Sequence, residues 1–153
     1  GDEKLNDYKK DPMLAGFDIS TTQNITELTN HCNYIVTTTP SKKPLLLAKE
    51  VKPGTHITAV GADTPGKQEL EASLFGKASC IIADSISQCK DHGDIFHPVH
   101  QGIIKEDQII ELGTLISTGQ KRKNDSDISI ADLTGVAIQD IQIAKFVYQK
   151  TKA

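Results

Sequence analysis

Residues 55–70 read THITAVGADTPGKQEL, and the fold turns on how this stretch is divided. His56-Ile57-Thr58-Ala59-Val60 is rich in β-branched residues and stops at Gly61, as a strand does before a turn. Lys52-Pro53-Gly54 supplies the turn that leads into it. Gly66 to Leu74 carries helix-forming residues, with Leu70 and Leu74 one helical turn apart, so a helix is expected there. The unit is therefore strand, polar loop, helix.

The same unit recurs on both sides. Upstream, Tyr34-Ile35-Val36-Thr37-Thr38-Thr39 is a continuous β-branched run ended by Pro40, which suits a strand covered on both faces. Before it, Asn24 is placed to cap a helix running through Leu28, with 29–33 returning the chain, and Phe17-Asp18-Ile19-Ser20 is a short strand candidate. A charged helix over Glu3 to Lys10 is expected to end at Asp11-Pro12. Downstream, Cys80 to Asp84 is a buried strand with Ser85 positioned to cap the next helix. Ile109 to Ser117 has the helical period, Ile128 to Ala131 is the last strand, and Thr134-Gly135 opens a long, mostly apolar helix. Strands alternating with helices predict βαβ units and an α/β fold with a doubly wound, mostly parallel sheet.

Composition removes several classes of function. The chain has 153 residues, 37% of them apolar, which is enough for one domain with its own core. Its formal charge of −3 and scattered Lys and Arg give no basic stripe for nucleic acid. No run approaches the roughly 20 apolar residues of a membrane span, and the charged GDEKLNDYKK start is unlike a signal peptide, so a cytoplasmic protein is expected. Cys32, Cys80 and Cys89 form no CxxC pair and are read as free thiols. His97 and His100 in HPVH could share a metal only on a helix, and Pro98 argues for a loop, so no metal site is expected.

In an open parallel sheet, ligands sit beyond the carboxyl ends of the strands. That rule gathers Thr39, the Gly61 to Lys67 loop, Asp84 and Leu133 to Gly135 around one crevice. Asp63 and Lys67 place a carboxylate and an ammonium on the same loop, suited to acid/base work and to anchoring a phosphate, ribose or carboxylate. On spacing alone the same pair also fits a turn residue and a solvated first-turn side chain.

The runs TTTPS (37–41), THITAVGADTPGKQEL, CIIADS (80–85), ELGTLISTG (111–119) and DISIADLTGVAIQD (127–140), in this order and spacing, resemble the ornithine cyclodeaminase/mu-crystallin family, which includes an alanine dehydrogenase branch. The resemblance extends from about Val36 to Tyr148. It implies a Rossmann-like domain that binds NAD(H) or NADP(H) in a homodimeric enzyme interconverting a small L-amino acid with its imino or keto form. It further implies that Asp63 is the catalytic acid/base beside the substrate amine and that Thr134 lies where substrate meets nicotinamide. Thr39, Ile57, Thr58, Ala59, Val60, Lys67 and Leu133 are implied along the cofactor.

Several features of that family are missing here. The sequence contains no GxG, so the glycine-rich phosphate loop is absent, together with the acidic ribose-binding residue and the substrate-gripping amino-terminal domain. Residues 1–153 thus read as the carboxy-terminal part of the NAD(P)-binding domain, with an incomplete sheet and a closing helix at about 135–150. The expected function is a share in an NAD-dependent ornithine cyclodeaminase-like reaction: hydride moves to nicotinamide and back, with loss of ammonia through an imine. The alternatives are an alanine dehydrogenase-like or imino/keto-acid reductase reaction, and a non-catalytic binding protein or inactive fragment. The chain is not expected to act alone; either a homodimer or a complementing amino-terminal polypeptide is implied.

Overall fold

A computed structural model of the chain describes Asp7 and residues 10–152. The charged helix expected over Glu3 to Lys10 lies outside the described residues except at Asp7 and Lys10. The strands are β1 (Tyr34–Thr37), β2 (Lys42–Leu46), β3 (His56–Ala59), β4 (Gln68–Leu70), β5 (Ala78–Ala83), β6 (Ile109–Glu111) and β7 (Ile128–Asp132). The helices are α1 (Ile25–His31), α2 (Ala72–Phe75), α3 (Ile86–His92), α4 (Phe96–His100), α5 (Leu112–Thr118) and α6 (Ala137–Thr151).

The main sheet has five strands in the order β1-β3-β7-β5-β6, and every pairing is parallel. The expected α/β architecture is therefore present. Its register puts Ile35, Ile57, Ile130, Ile81 and Ile109 in one row across the five strands. All five are buried and belong to the core, and burying each stabilises the fold by roughly 2 kcal/mol. Leu46, Leu70, Leu74, Phe75, Cys89, Ile95 and Ile104 cover this row from the second layer. On the opposite face, α5 packs on β5 and β6, with Leu115 beside Cys80 and Ile82.

Four of the predicted segments differ from what forms. Residues 66–74 are not a helix: Gln68–Leu70 is a strand parallel to β2, and only Ala72–Phe75 is helical. The amides explain this, because those of Glu69 and Leu70 donate to Asp94 Oδ1 and that of Gln68 donates to Ser41 O. Tertiary acceptors have taken the donors a helix would need. Ile109 to Glu111 is likewise a strand, the edge partner of β5, before the helix begins at Leu112. Phe17 to Ser20 forms no strand, and Phe17 is 72% exposed. The HPVH segment, expected as a loop, is the short helix α4. Pro98 falls in its first turn, where a missing N–H costs nothing.

Strand β1 also departs from the reading of a strand covered twice. It pairs only with β3, so one edge is open among the described residues. Its burial alternates: Ile35 and Thr37 face the core, while Tyr34 and Val36 are 66% and 52% exposed. Helix α6 buries no residue, and Ile138, Ile141, Ile143, Phe146, Val147 and Tyr148 are each more than half exposed.

Candidate functional site

Two residues beyond the isoleucine row, the register aligns Thr37, Ala59, Asp132, Ala83 and Glu111 at the carboxyl end of the sheet. Beyond it the chain leaves β1 through Thr39, β3 through Val60 to Asp63, β5 through Asp84, and β7 through Leu133 to Gly135. These exits line the crevice that the topology predicts.

The Asp63–Lys67 pair is present. Lys67 Nζ donates to Asp63 Oδ1 at 2.5 Å, with the Lys67 side chain 23% and that of Asp63 50% exposed. The hydrogen bond from Lys67, reinforced by its charge, holds the Asp63 carboxyl below its usual range. Asp63 therefore stands as a carboxylate, a proton acceptor. The loop behind it is tied down by Lys67 N–H to Thr64 O and by a His97 Nε2 contact of 3.3 Å with Lys67 O.

The other residues singled out by sequence fall into two groups. Thr39, Val60, Leu133 and Thr134 lie at the strand exits with Asp63 and Lys67. Val60 is 38% exposed, the Leu133 amide donates to Ala59 O, and the Thr134 hydroxyl donates to Asp84 Oδ1 at 3.2 Å. Ile57, Thr58 and Ala59 lie lower, within β3. The side chains of Ile57 and Ala59 are wholly buried on the core face, and the Thr58 hydroxyl meets His56 Nε2 on the other face.

Sequence reading missed the carboxylates that build the floor of the crevice. Glu69, Asp94 and Asp132 are 0%, 0% and 1% exposed. Glu69 accepts from Thr37 Oγ1 at 2.6 Å, the Thr39 amide at 2.5 Å and the Gly61 amide at 2.8 Å. Asp94 accepts from the Glu69 and Leu70 amides, and its Oδ2 is buried without a partner. Asp132 Oδ2 accepts from the Ile95 amide. The available signal was a polar residue closing or following an otherwise apolar run, as Asp132 does after Ile128 to Ala131. Asp84, which was placed at the crevice, accepts from Ser85 N, Thr134 Oγ1 and Gly135 N and so fixes the exit of β7.

Burial pushes Asp132 up to about 8 and Asp94 up to about 6; Asp94 and Asp84 add to the rise at Asp132, and Glu69 to that at Asp94. Both folded values lie above the ordinary 3.8, so the folded chain binds more protons than the unfolded one up to about pH 8. The contribution of these two acids to stability is thus greatest on the acid side and declines as pH rises through that window. Asp132→Asn keeps an acceptor for Ile95 N–H but cannot ionise. Its melting temperature should fall less between about pH 5 and about pH 8 than that of the wild type. Parallel declines in the two proteins would refute the assignment.

The cysteines are free, as expected. Burial, with Asp132 and Asp84 nearby, pushes the Cys89 thiol up to about 12, which makes it unreactive. His97 and His100 contact different backbone oxygens, Lys67 O and Phe96 O. No group of metal-binding side chains occurs among the described residues. None of their helices is long and apolar enough to cross a membrane.

Comparison with known proteins places this crevice in context. The chain is 45% identical over 134 residues to the alanine dehydrogenase of Archaeoglobus fulgidus, covering 86% of this chain and 41% of that protein. It superposes on an archaeal alanine dehydrogenase dimer with bound NAD at a TM-score of 0.83 and 39% identity, covering 96% of this chain and 45% of that one. It also matches the iminosuccinate reductase of Paracoccus denitrificans in complex with NAD+ at a TM-score of 0.88 and 34% identity, covering 99% of this chain and 47% of that one. The chain thus spans about two fifths of the length of the curated relatives it matches. The sequence profile of the ornithine cyclodeaminase/mu-crystallin family matches residues 2–153, and the chain belongs to that family.

Proposed function

We propose that residues 1–153 form the carboxy-terminal part of an NAD(P)-binding domain in a cytoplasmic enzyme that interconverts a small L-amino acid and its imino form. The observation that carries this reading is the Asp63 carboxylate, ion-paired and half-exposed at the mouth of a parallel sheet. The residues present fit the nicotinamide end of such a cofactor: Val60 offers an exposed apolar side chain at the exit of β3, with Thr39, Leu133 and Thr134 at the neighbouring exits. Bound NAD would supply the hydride acceptor. Asp63 would take the proton from the substrate amine, and Lys67 would hold Asp63 deprotonated until substrate arrives. Thr39, Val60, Lys67 and Leu133 would border the cofactor, and Thr134 the substrate. Ile57, Thr58 and Ala59 would support that wall from below.

Similarity to an alanine dehydrogenase and an iminosuccinate reductase favours net oxidation or reduction. A cyclodeaminase, in which the hydride returns and ammonia leaves, is the second reading. Formation of reduced cofactor in proportion to amino acid consumed selects the first, and ammonia release without it selects the second.

The open edge of β1, the exposed Tyr34 and Val36, and the uncovered α6 call for the part of the fold that the chain does not match. We assign that part to an amino-terminal polypeptide segment, the whole assembling as a homodimer. Native mass spectrometry with and without NAD tests this assembly. A complex holding a complementing polypeptide, a dimer, or retained NAD is expected. A bare monomer that ignores NAD would count against it.

A further inference from the structure

The Glu69 carboxylate is fully buried beneath the exits of β1 and β3. The ion pairs among the described residues do not include it, so its charge is held by neutral donors alone. Those donors come from two strand exits: Thr37 and Thr39 on β1, and Gly61 on β3. A buried charge with only these partners must keep them close, because separating them would strand it in an apolar layer. Glu69 is itself fixed, since its own amide and that of Leu70 share Asp94 Oδ1. The β1–β3 contact is tight at this point: a Cβ on Gly61 would lie 2.2 Å from Thr39 O and 2.5 Å from the Glu69 carboxylate. Gly61 stands two residues before Asp63.

We propose that Glu69 is the positioning residue of the crevice, clamping the exits of β1 and β3 so that Thr39 and Asp63 face one ligand. This rests on the reading of Asp63 given above. Glutamine at 69 has one acceptor oxygen, so an NH2 group must face either the Thr39 amide or the Thr37 and Gly61 donors. Aspartate keeps the charge and falls one methylene short.

The test is amide hydrogen exchange and NAD affinity, measured on Glu69→Gln, Glu69→Asp and Asp63→Asn in the assembled protein. Glu69→Gln should speed exchange at Thr39 and Gly61 by about tenfold or more, with Ile81 and Ile130 unaffected, and weaken NAD by a similar factor. Loss of protection spread over the whole sheet, or unchanged exchange at Thr39 and Gly61, overturns the proposal. So does local loosening without any change in NAD affinity. If the glutamine variant does not fold, Glu69→Asp decides: it should show the same local loosening, and wild-type protection at both amides overturns the clamp. Asp63→Asn should leave exchange at Thr39 and Gly61 unchanged. Full turnover in Asp63→Asn would defeat the reading of Asp63 while leaving the exchange results to judge Glu69 separately.

Discussion

Asp63→Asn is expected to lower turnover of the assembled enzyme by roughly a thousandfold or more, because an amide has the shape of the carboxylate but cannot take a proton. Affinity for NAD should remain close to wild type, since the amide oxygen of the variant can still accept from Lys67 and the other residues assigned to the cofactor, Thr39, Val60 and Leu133, are untouched. Stability should barely change, because the Asp63–Lys67 pair is exposed and an exposed pair contributes little. This separation makes the experiment decisive. A variant that folds, binds NAD and does not turn over identifies Asp63 as the proton acceptor. One that turns over at a near-normal rate removes Asp63 from the mechanism. The acid limb of the pH–rate profile offers a second check. Lys67 holds the Asp63 carboxyl below its usual range, so activity should persist to lower pH than an unpaired aspartate would allow. Lys67→Met should move that limb upward.

What sequence could and could not reveal follows from where the deciding contacts lie. β3 and β7 were legible because apolar, β-branched runs bounded by turns carry their own signal, and both run through the centre of the sheet. Helix α1 was legible from its cap, where Asn24 Oδ1 accepts from the Thr26 amide. β4 was not, because its partners are remote: Lys42 and Leu46 on β2, and Asp94 beyond α3. Leu70 and Leu74 are both wholly buried, but a strand followed by a helical turn places them there instead of one helix face. β2 itself was missed because Lys42, Lys43 and Pro44 are poor strand formers, tolerated at a two-stranded edge.

The candidate site divides in the same way. Asp63, Lys67, Thr39 and Leu133 to Gly135 follow from the rule that ligands gather at strand exits. Glu69, Asp94 and Asp132 do not follow from it, because a buried acid is recognisable only once its donors are known. Those donors come from residues 24 to 37 positions away in the chain for Asp94, Glu69 and Asp132 alike. The Gly61 amide, eight positions before Glu69, is the near exception. Resemblance to a family supplied the expected role of Asp63, which spacing left open between an acid/base and a turn residue.

Gly61→Ala is the substitution with the largest expected effect on the fold. The added methyl would meet Thr39 O at 2.2 Å and the Glu69 Cδ and Oε1 at 2.5 Å each. None of these atoms can move away cheaply. Thr39 O is backbone, and the Glu69 carboxylate is held by three hydrogen bonds, one of them from Gly61 itself. Relief requires β1 and β3 to separate at their exits, which breaks the clamp and exposes part of the buried charge. Overpacking of this kind, together with a disturbed buried carboxylate, should cost about 3 kcal/mol or more. Gly76→Ala is the matched control. Its methyl would meet the Ile103 Cγ2 at 3.2 Å, the end of a side chain that can turn, and the Ser73 carbonyl at an ordinary 3.4 Å. That change should stay within about 1 kcal/mol. Denaturant unfolding of the two variants measures the difference directly. Equal stabilities would mean that the β1 and β3 exits do not approach each other as closely as the clamp requires. A collapse confined to Gly61→Ala would place close, unyielding packing at the crevice floor, as a wall that keeps Thr39 and Asp63 at a fixed separation requires.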